Sequence, residues 1–184
     1  MEISRWEFED HWNCIIRPVR PRFIWHFEIV GPDGEKIDKY LHNLVTRVGV
    51  TQIFAATFKN SATTPWYTSM MKGATPTFAT TDTMGSHAGW TEIAGGDVSE
   101  GTRQTWTPGT ISSGSDTITL DNTSSPAVYN MLTSITLQGG FLVDQNTIGG
   151  STGTLYGEAA FSAAQAVTNG STVTLTGQVG LTAG

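Results

Sequence analysis

Four histidines, one cysteine and a thin scatter of carboxylates are the first candidates for chemistry in this chain of 184 residues. The histidines are His11, His26, His42 and His87, and no two share the H-x-x-x-H spacing that sets two metal ligands on one helical face. His87 lies five residues after Asp82 and five before Glu92, which sketches a small acid–base or metal cluster. A loop histidine bonded to nearby backbone is the simpler reading, because catalysis needs several elements to converge and this spacing supplies one. His42 stands beside Asn43 and reads as structural. The lone Cys14 excludes an intrachain disulfide and a cysteine-built zinc site. A nucleophilic thiol needs a base or a helix N-terminus beside it, so a buried, inert Cys14 is preferred. Gly149-Gly150-Ser151-Thr152-Gly153-Thr154 lacks the lysine of a phosphate loop and leads into a strand pattern, so it is a turn. Asn122-Thr123-Ser124 and Asn169-Gly170-Ser171 fit the glycosylation pattern but read as turns. A glycan hydrolase would need two carboxylates facing across a cleft, and nothing singles out such a pair among Asp82, Glu92, Asp97 and Glu100. The expectation is a protein without catalytic residues, metal or cofactor.

One constellation remains. Trp90, Arg103 and Trp106 fall in Gly89-Trp90-Thr91-Glu92 and in RQTWTPGT from Arg103 to Thr110. An arginine between two tryptophans could stack a sugar or a nucleobase. It could equally be a cation–π clamp where the chain enters its folded body, and the structural clamp is the preferred reading. Arg103 is the last Lys or Arg in the sequence, so it needs a specific partner, with Glu92 and Glu100 as candidates.

The elements that must position these residues are legible from charge and periodicity. Charged residues make up 14% of the chain, against about 25% in an ordinary soluble domain. Residues 1–50 carry 15 of them, and residues 104–184 carry only Asp116, Asp121, Asp144 and Glu158. The net charge of −6 argues against nucleic acid as a partner. No apolar run approaches the roughly 18 residues of a membrane span, and MEISRWEFEDHW has no apolar signal core. The charge-poor region is either a disordered tail or a β-rich body with threonine on its solvent faces. Periodicity decides for the second. Val173, Leu175, Val179 and Leu181 alternate with Thr172, Thr174, Thr176 and Gln178. Ile135, Leu137, Phe141 and Val143 keep one parity, as do Leu155, Ala159 and Phe161, and as do Ile118 and Leu120. Period two over such runs marks half-buried strands. Several of them, separated by Gly and Asn turns, predict a mainly β fold: an antiparallel, jelly-roll-like β-sandwich.

The first third adds a hairpin and a helix. Phe23, Trp25, Phe27 and Ile29 alternate, then Gly31-Pro32-Asp33-Gly34 turns the chain into Glu35–Leu41. Asn43 predicts the cap of one short helix that runs to Phe58 with a kink at Gly49. Trp66–Lys72 reads as a buried strand, and Asp82–His87 as one helical turn capped by Asp82. Residues 1–22 form a separate extended arm, because Pro18 and Pro21 disfavour helix in the residues before them. Its Trp6, Phe8, Trp12, Arg17, Arg20 and Arg22 either contact another subunit or tuck into the chain's own core. The chain therefore divides into arm 1–22 and one β-rich domain 23–184, with hairpin and helix in 23–60 and the sandwich body in 61–184.

The ordered set HNLVTRVGV (His42–Val50), WYTSMM (Trp66–Met71), DTMGSHAGWTE (Asp82–Glu92), RQTWTPGT, SSPAVYNM (Ser124–Met131), GGFLV (Gly139–Val143) and GTLYGEAAFSAAQAV (Gly153–Val167) resembles a family of small tailed-phage virion proteins. That family includes capsid cement and decoration proteins. The resemblance implies a jelly-roll-like sandwich on the outer surface of the head, made in the host cytoplasm. Its implied partners are the major capsid protein and further copies of itself, as dimer or trimer, with no membrane. No catalytic residue comes with it. Residues 1–40 depart from the shorter members. A head-fibre or tail-associated module is the alternative, holding host glycans on exposed Trp66, Tyr67, Trp90 and Trp106.

Overall fold

A computed structural model describes residues 20–61, 65–114 and 117–182. Trp6, Phe8, Trp12, Cys14 and Arg17 lie outside the described residues. The hairpin forms as its alternation demands. β1 (Arg20–Val30) pairs with β2 (Lys36–His42), Ile29 facing Ile37 and Ile24 facing His42. Gly34 closes the turn at φ 86°, a left-handed conformation that a side chain would strain, and its N–H donates to the Gly31 carbonyl at 2.9 Å. β1 begins at Arg20, so the last three residues read from sequence as arm belong to the sheet.

β12 (Thr172–Thr182) pairs along the whole of β1, from Arg20 opposite Thr182 to Val30 opposite Thr172. Its other edge carries β9 (Ala127–Asn130) and β8 (Thr117–Asp121), with β7 (Ser112–Ser113) beyond β8. Between those two partners, Asn122 supplies the missing bonds. Its Oδ1 accepts from the Gly177 N–H at 2.7 Å and its Nδ2 donates to the Leu175 carbonyl at 3.3 Å. Asn122 is fully buried, which removes it as a glycan acceptor.

The second sheet runs β3 (Leu44–Val45), β11 (Leu155–Val167), β10 (Ile135–Val143), β4 (Trp66–Lys72), β5 (Thr91–Glu92), with β6 (Gln104–Trp106) also on β4. All pairings are antiparallel. The chain visits the two sheets by turns, and their facing sides share one core: Trp25, Phe27, Val173 and Leu175 from the first, Met70, Leu137, Leu142 and Ala159 from the second. This is the expected β-sandwich. Tyr129 ties the layers together, donating from β9 to the Thr68 carbonyl of β4 at 2.6 Å. β10 shifts register between Leu137 and Gly139, where a Cβ would collide with the Ala159 carbonyl oxygen. Both faces of β10 are buried from Leu137 onward, beyond the half-burial its parity suggested.

Two local expectations are corrected. The helix α1 runs Arg47–Phe58 and its cap is Thr46, whose Oγ1 accepts from the Gly49 N–H at 3.1 Å. Asn43 is no cap, because Leu44 and Val45 are claimed by pairing with Glu158 and Gly157. Residues 82–87 form a tight reversal in place of a helical turn. Thr83 and Ser86 exchange backbone bonds of 3.0 and 3.1 Å around Gly85. Asp82 is no helix cap; its Oδ2 accepts from the Ala79 N–H before it at 2.8 Å and closes the 79–82 turn.

Candidate functional site

Arg103 is buried, 1% exposed, and every charge on it is answered. Its Nε and Nη2 donate to the two Glu92 carboxylate oxygens at 2.8 Å each. Nη1 reaches the Gln145 carbonyl at 2.8 Å and Nη2 the Gly150 carbonyl at 2.9 Å. The fork geometry of guanidinium and carboxylate makes this a directional bond as well as an ion pair. Glu92 is thus the partner; Glu100 instead accepts from Asn130. The aromatic ring near the guanidinium belongs to Phe141, with its centroid 5.4 Å from Cζ. Trp90 lies 5.0 Å from that same ring. Trp106 does not join them. β4 separates the two groups, with Trp106 opposite Trp66 at one end and Glu92 opposite Met71 at the other. The Trp90–Arg103–Trp106 clamp is therefore corrected to Glu92–Arg103–Phe141 with Trp90 behind it.

A second buried cluster surrounds Glu158, which the sequence marks only as an isolated acid. Its carboxyl is fully buried on β11 and Oε2 accepts from Trp90 Nε1 at 3.1 Å. Burial, then the neighbouring Asp82 carboxyl, push its pKa up to about 8. His87 stacks on Trp90 with ring centroids 3.6 Å apart. Burial lowers the His87 pKa, against the pull of Asp82 and Glu92. A buried carboxyl that keeps its proton can do acid–base work when a substrate reaches it, but Glu158 is 0% exposed and Asp82 beside it 8%. Asp97 is engaged as well. Asp97 accepts from Lys72 Nζ at 2.5 Å, from the Ala94 N–H at 2.6 Å and from Thr133. Burial raises its pKa, yet these donors together hold it below the ordinary value. Among the described residues no three His, Cys, Asp or Glu side chains stand together as a metal site.

The accessible feature is the end of the sandwich where β1 begins. The inner face of the first sheet runs there through Phe23, Val179 and Leu120, and continues past the second sheet to Leu181 and Ile118. Exposure climbs along that line, from 0% at Leu175 to 42% at Leu181 and 48% at Ile118. Ile111 stands nearby, just before β7, and is exposed. Behind the overhang opens an apolar groove of about 420 Å³, lined by Pro65, Trp66, Trp106, Pro108, Leu120 and Val179. Trp106 forms its floor, with Nε1 donating to the Gly177 carbonyl at 3.2 Å, and half-buried Trp66 lies 5.5 Å from it. β1 begins at this end, where Arg20 faces Thr182. Arg20 and Arg22 therefore start a strand beside the groove. Trp90 and Trp106 are buried, which corrects the expectation of exposed aromatic platforms at those positions. Periodicity identified Leu181 and Ile118 as inward-facing; that the partner sheet stops short of them was invisible to it.

Comparison with known protein families, curated proteins and solved structures finds no match to this chain.

Proposed function

We propose that this chain is a structural protein of a tailed-phage virion, a capsid cement or decoration protein that binds the outer surface of the head shell and stabilises it. The observation that carries this reading is the uncovered apolar overhang of Ile118 and Leu181 beside the Trp66 groove. An apolar inner face left open to water costs free energy until another protein covers it. In this reading Trp6, Phe8, Trp12 and Arg17, which precede β1 in the sequence, are further contact residues for the shell or for a neighbouring copy. The partner in this reading is the major capsid protein, with copies of the chain as neighbours. Binding to the mature lattice stabilises it by mass action, and many copies make weak contacts strong by avidity.

The test is co-sedimentation of the purified full chain with heads of the phage that encodes it. Ile118→Asp with Leu181→Asp should abolish attachment while the melting curve is kept. Undiminished attachment of this variant would remove the overhang from the contact. A head-fibre or tail-associated glycan-binding role is the second reading, favoured by the half-buried Trp66 at the lip of the groove. Binding on a glycan array that Trp66→Ala removes would select it.

A further inference from the structure

The second sheet has a covered outer face. Met71 of β4, Phe141 and Val143 of β10 and Leu155 of β11 form a cluster separate from the main core, closed from outside by Met84 and Trp90. Both of these belong to residues 77–90, a segment that lies mostly at the surface; only its Asp82, Met84 and Trp90 are buried. The segment is folded largely on itself. The Thr77 N–H donates to the Ala88 carbonyl at 3.3 Å, Thr83 and Ser86 bond each other, and Asp82 closes the turn at Ala79. It is tied to the body by the Arg47 N–H, which donates to the Thr80 carbonyl at 2.8 Å, and by Trp90 Nε1, which donates to Glu158 Oε2 at 3.1 Å. Few apolar anchors and few bonds to the body mark a segment that opens at lower cost than the core.

The Trp90 tie ends on a group that carries charge only at a high cost. Glu158 is fully buried, and its Oε1 accepts no hydrogen bond. Its neighbours across the sheet are Phe141 on β10 and Leu44 on β3. From the segment it meets Asp82, a second carboxyl, and Trp90, on which the His87 ring stacks with a buried, unpartnered Nδ1. The bases of this side are engaged or in water: Lys72 on Asp97, Arg103 on Glu92, and Arg47 exposed at the start of α1. A carboxylate buried without a cation either stays neutral or forces its surroundings to give way. We propose that residues 77–90 are a pH-operated cover, shut while Glu158 is neutral and lifted off the outer face of the second sheet when Glu158 ionises. Lifting lets water reach the carboxylate and takes Asp82 away from it. It uncovers Met71, Phe141 and Val143 and leaves the main core in place. With the cover shut, burial and then the Asp82 carboxyl keep Glu158 protonated up to about pH 8; with it open, an exposed glutamate loses the proton at about 4.3. The open form therefore gains on the shut one as pH rises between these values, by up to about tenfold per unit. His87 works the other way, because burial lowers its pKa against the pull of Asp82 and Glu92, so acid also favours opening. The two oppose each other below about pH 6.5, and Glu158 governs above it. Ile118 and Leu181 lie on the first sheet, so the cover is independent of the proposed shell contact.

Hydrogen exchange of the full chain by NMR reads the cover at the Arg47 amide and the Trp90 indole N–H, the donors of the ties to the body. With the intrinsic rates divided out, both should exchange faster than the amides of β12. Both should speed up about tenfold per pH unit from about pH 6.5 to 7.5 and level off past about pH 8. Urea below the unfolding midpoint should leave these two rates unchanged while it speeds β12, because lifting the cover exposes little surface. Glu158→Gln keeps an acceptor for Trp90 and cannot ionise, so it should hold both rates flat across the range. Exchange of the two donors at the rate and urea response of β12 overturns the proposal, since the segment would then open only by global unfolding; this result comes from the unaltered chain and needs no variant. An undiminished pH response in Glu158→Gln overturns it equally, since Glu158 would not operate the cover.

Discussion

A carboxyl sealed from water beside a second carboxyl keeps its proton past neutrality, and this sets how the chain responds to pH. Folded, Glu158 holds that proton up to about pH 8; in the unfolded chain an exposed glutamate loses it at about 4.3. Between these values the folded state binds the extra proton, so stability falls as pH rises, by about 1.4 kcal/mol per unit. His87 acts in the opposite sense below about pH 6.5, because its folded pKa is depressed and the unfolded ring takes the proton first. From about pH 6.5 to 8, above the range where His87 opposes it, Glu158 sets the slope. Urea midpoints should fall across that window, and Glu158→Gln should flatten the fall. An equal slope in the variant would take Glu158 out of the account. Arg103 and Glu92 give a second residue-scale prediction. Glu92→Gln leaves a guanidinium that is 1% exposed without its counter-charge, and the expected loss is about 3–5 kcal/mol in chemical denaturation. A loss under about 1 kcal/mol would mean that the carbonyls of Gln145 and Gly150 suffice. The need of Arg103 for a carboxylate was legible from its place as the last base of the chain. Glu158 was not, because its burial comes from β3, β10 and the 77–90 loop, which only the folded chain brings together.

At the scale of elements, legibility followed the range of the interactions. β1, β2 and β12 repeat the parity of Phe23–Ile29 and Val173–Leu181, since alternation is a local property of a strand with one wet face. The helix begins later than its sequence suggests because Leu44 and Val45 are taken by β11, and a pairing partner more than a hundred residues away leaves no local mark. Docking of α1 depends on one atom that is absent. A Cβ on Gly49 would sit 2.5 Å from the Tyr156 carbonyl oxygen and 2.7 Å from its Cα. The obstacle is backbone, which cannot swing aside as a side chain would. Gly49→Ala should therefore cost about 1–3 kcal/mol by overpacking, despite the higher helix propensity of alanine. Hydrogen exchange should locate the damage, with amides of 47–58 losing protection while those of β12 keep theirs. Uniform loss along the chain would show instead that the helix and the sandwich open as one unit.

Over the whole molecule, β4 and β12 each pair with three strands, and β12 is the last strand of the described chain. β12 lies between β1 on one side and β8 and β9 on the other, and its register sets Arg20 against Thr182 and Val30 against Thr172. The first sheet is thus closed by contacts between the two ends of the described chain, the costliest loop to close in entropy. A fold dominated by such pairings refolds in milliseconds to seconds, slower than helical proteins of similar stability. The same topology governs the proposed shell contact. The apolar overhang is made of Leu181 of β12 and Ile118 of β8, so it exists only after the end of β12 has been placed. A chain ending at Gly170 would keep Phe23, Trp25 and Phe27 but lose Val173 and Leu175, which cover them. It should show no cooperative melting transition, and it should fail to attach to heads even with residues 1–19 intact. If that truncated chain attached as well as the full one, binding would reside in the N-terminal segment alone, and the open end of the sandwich would have no part in it.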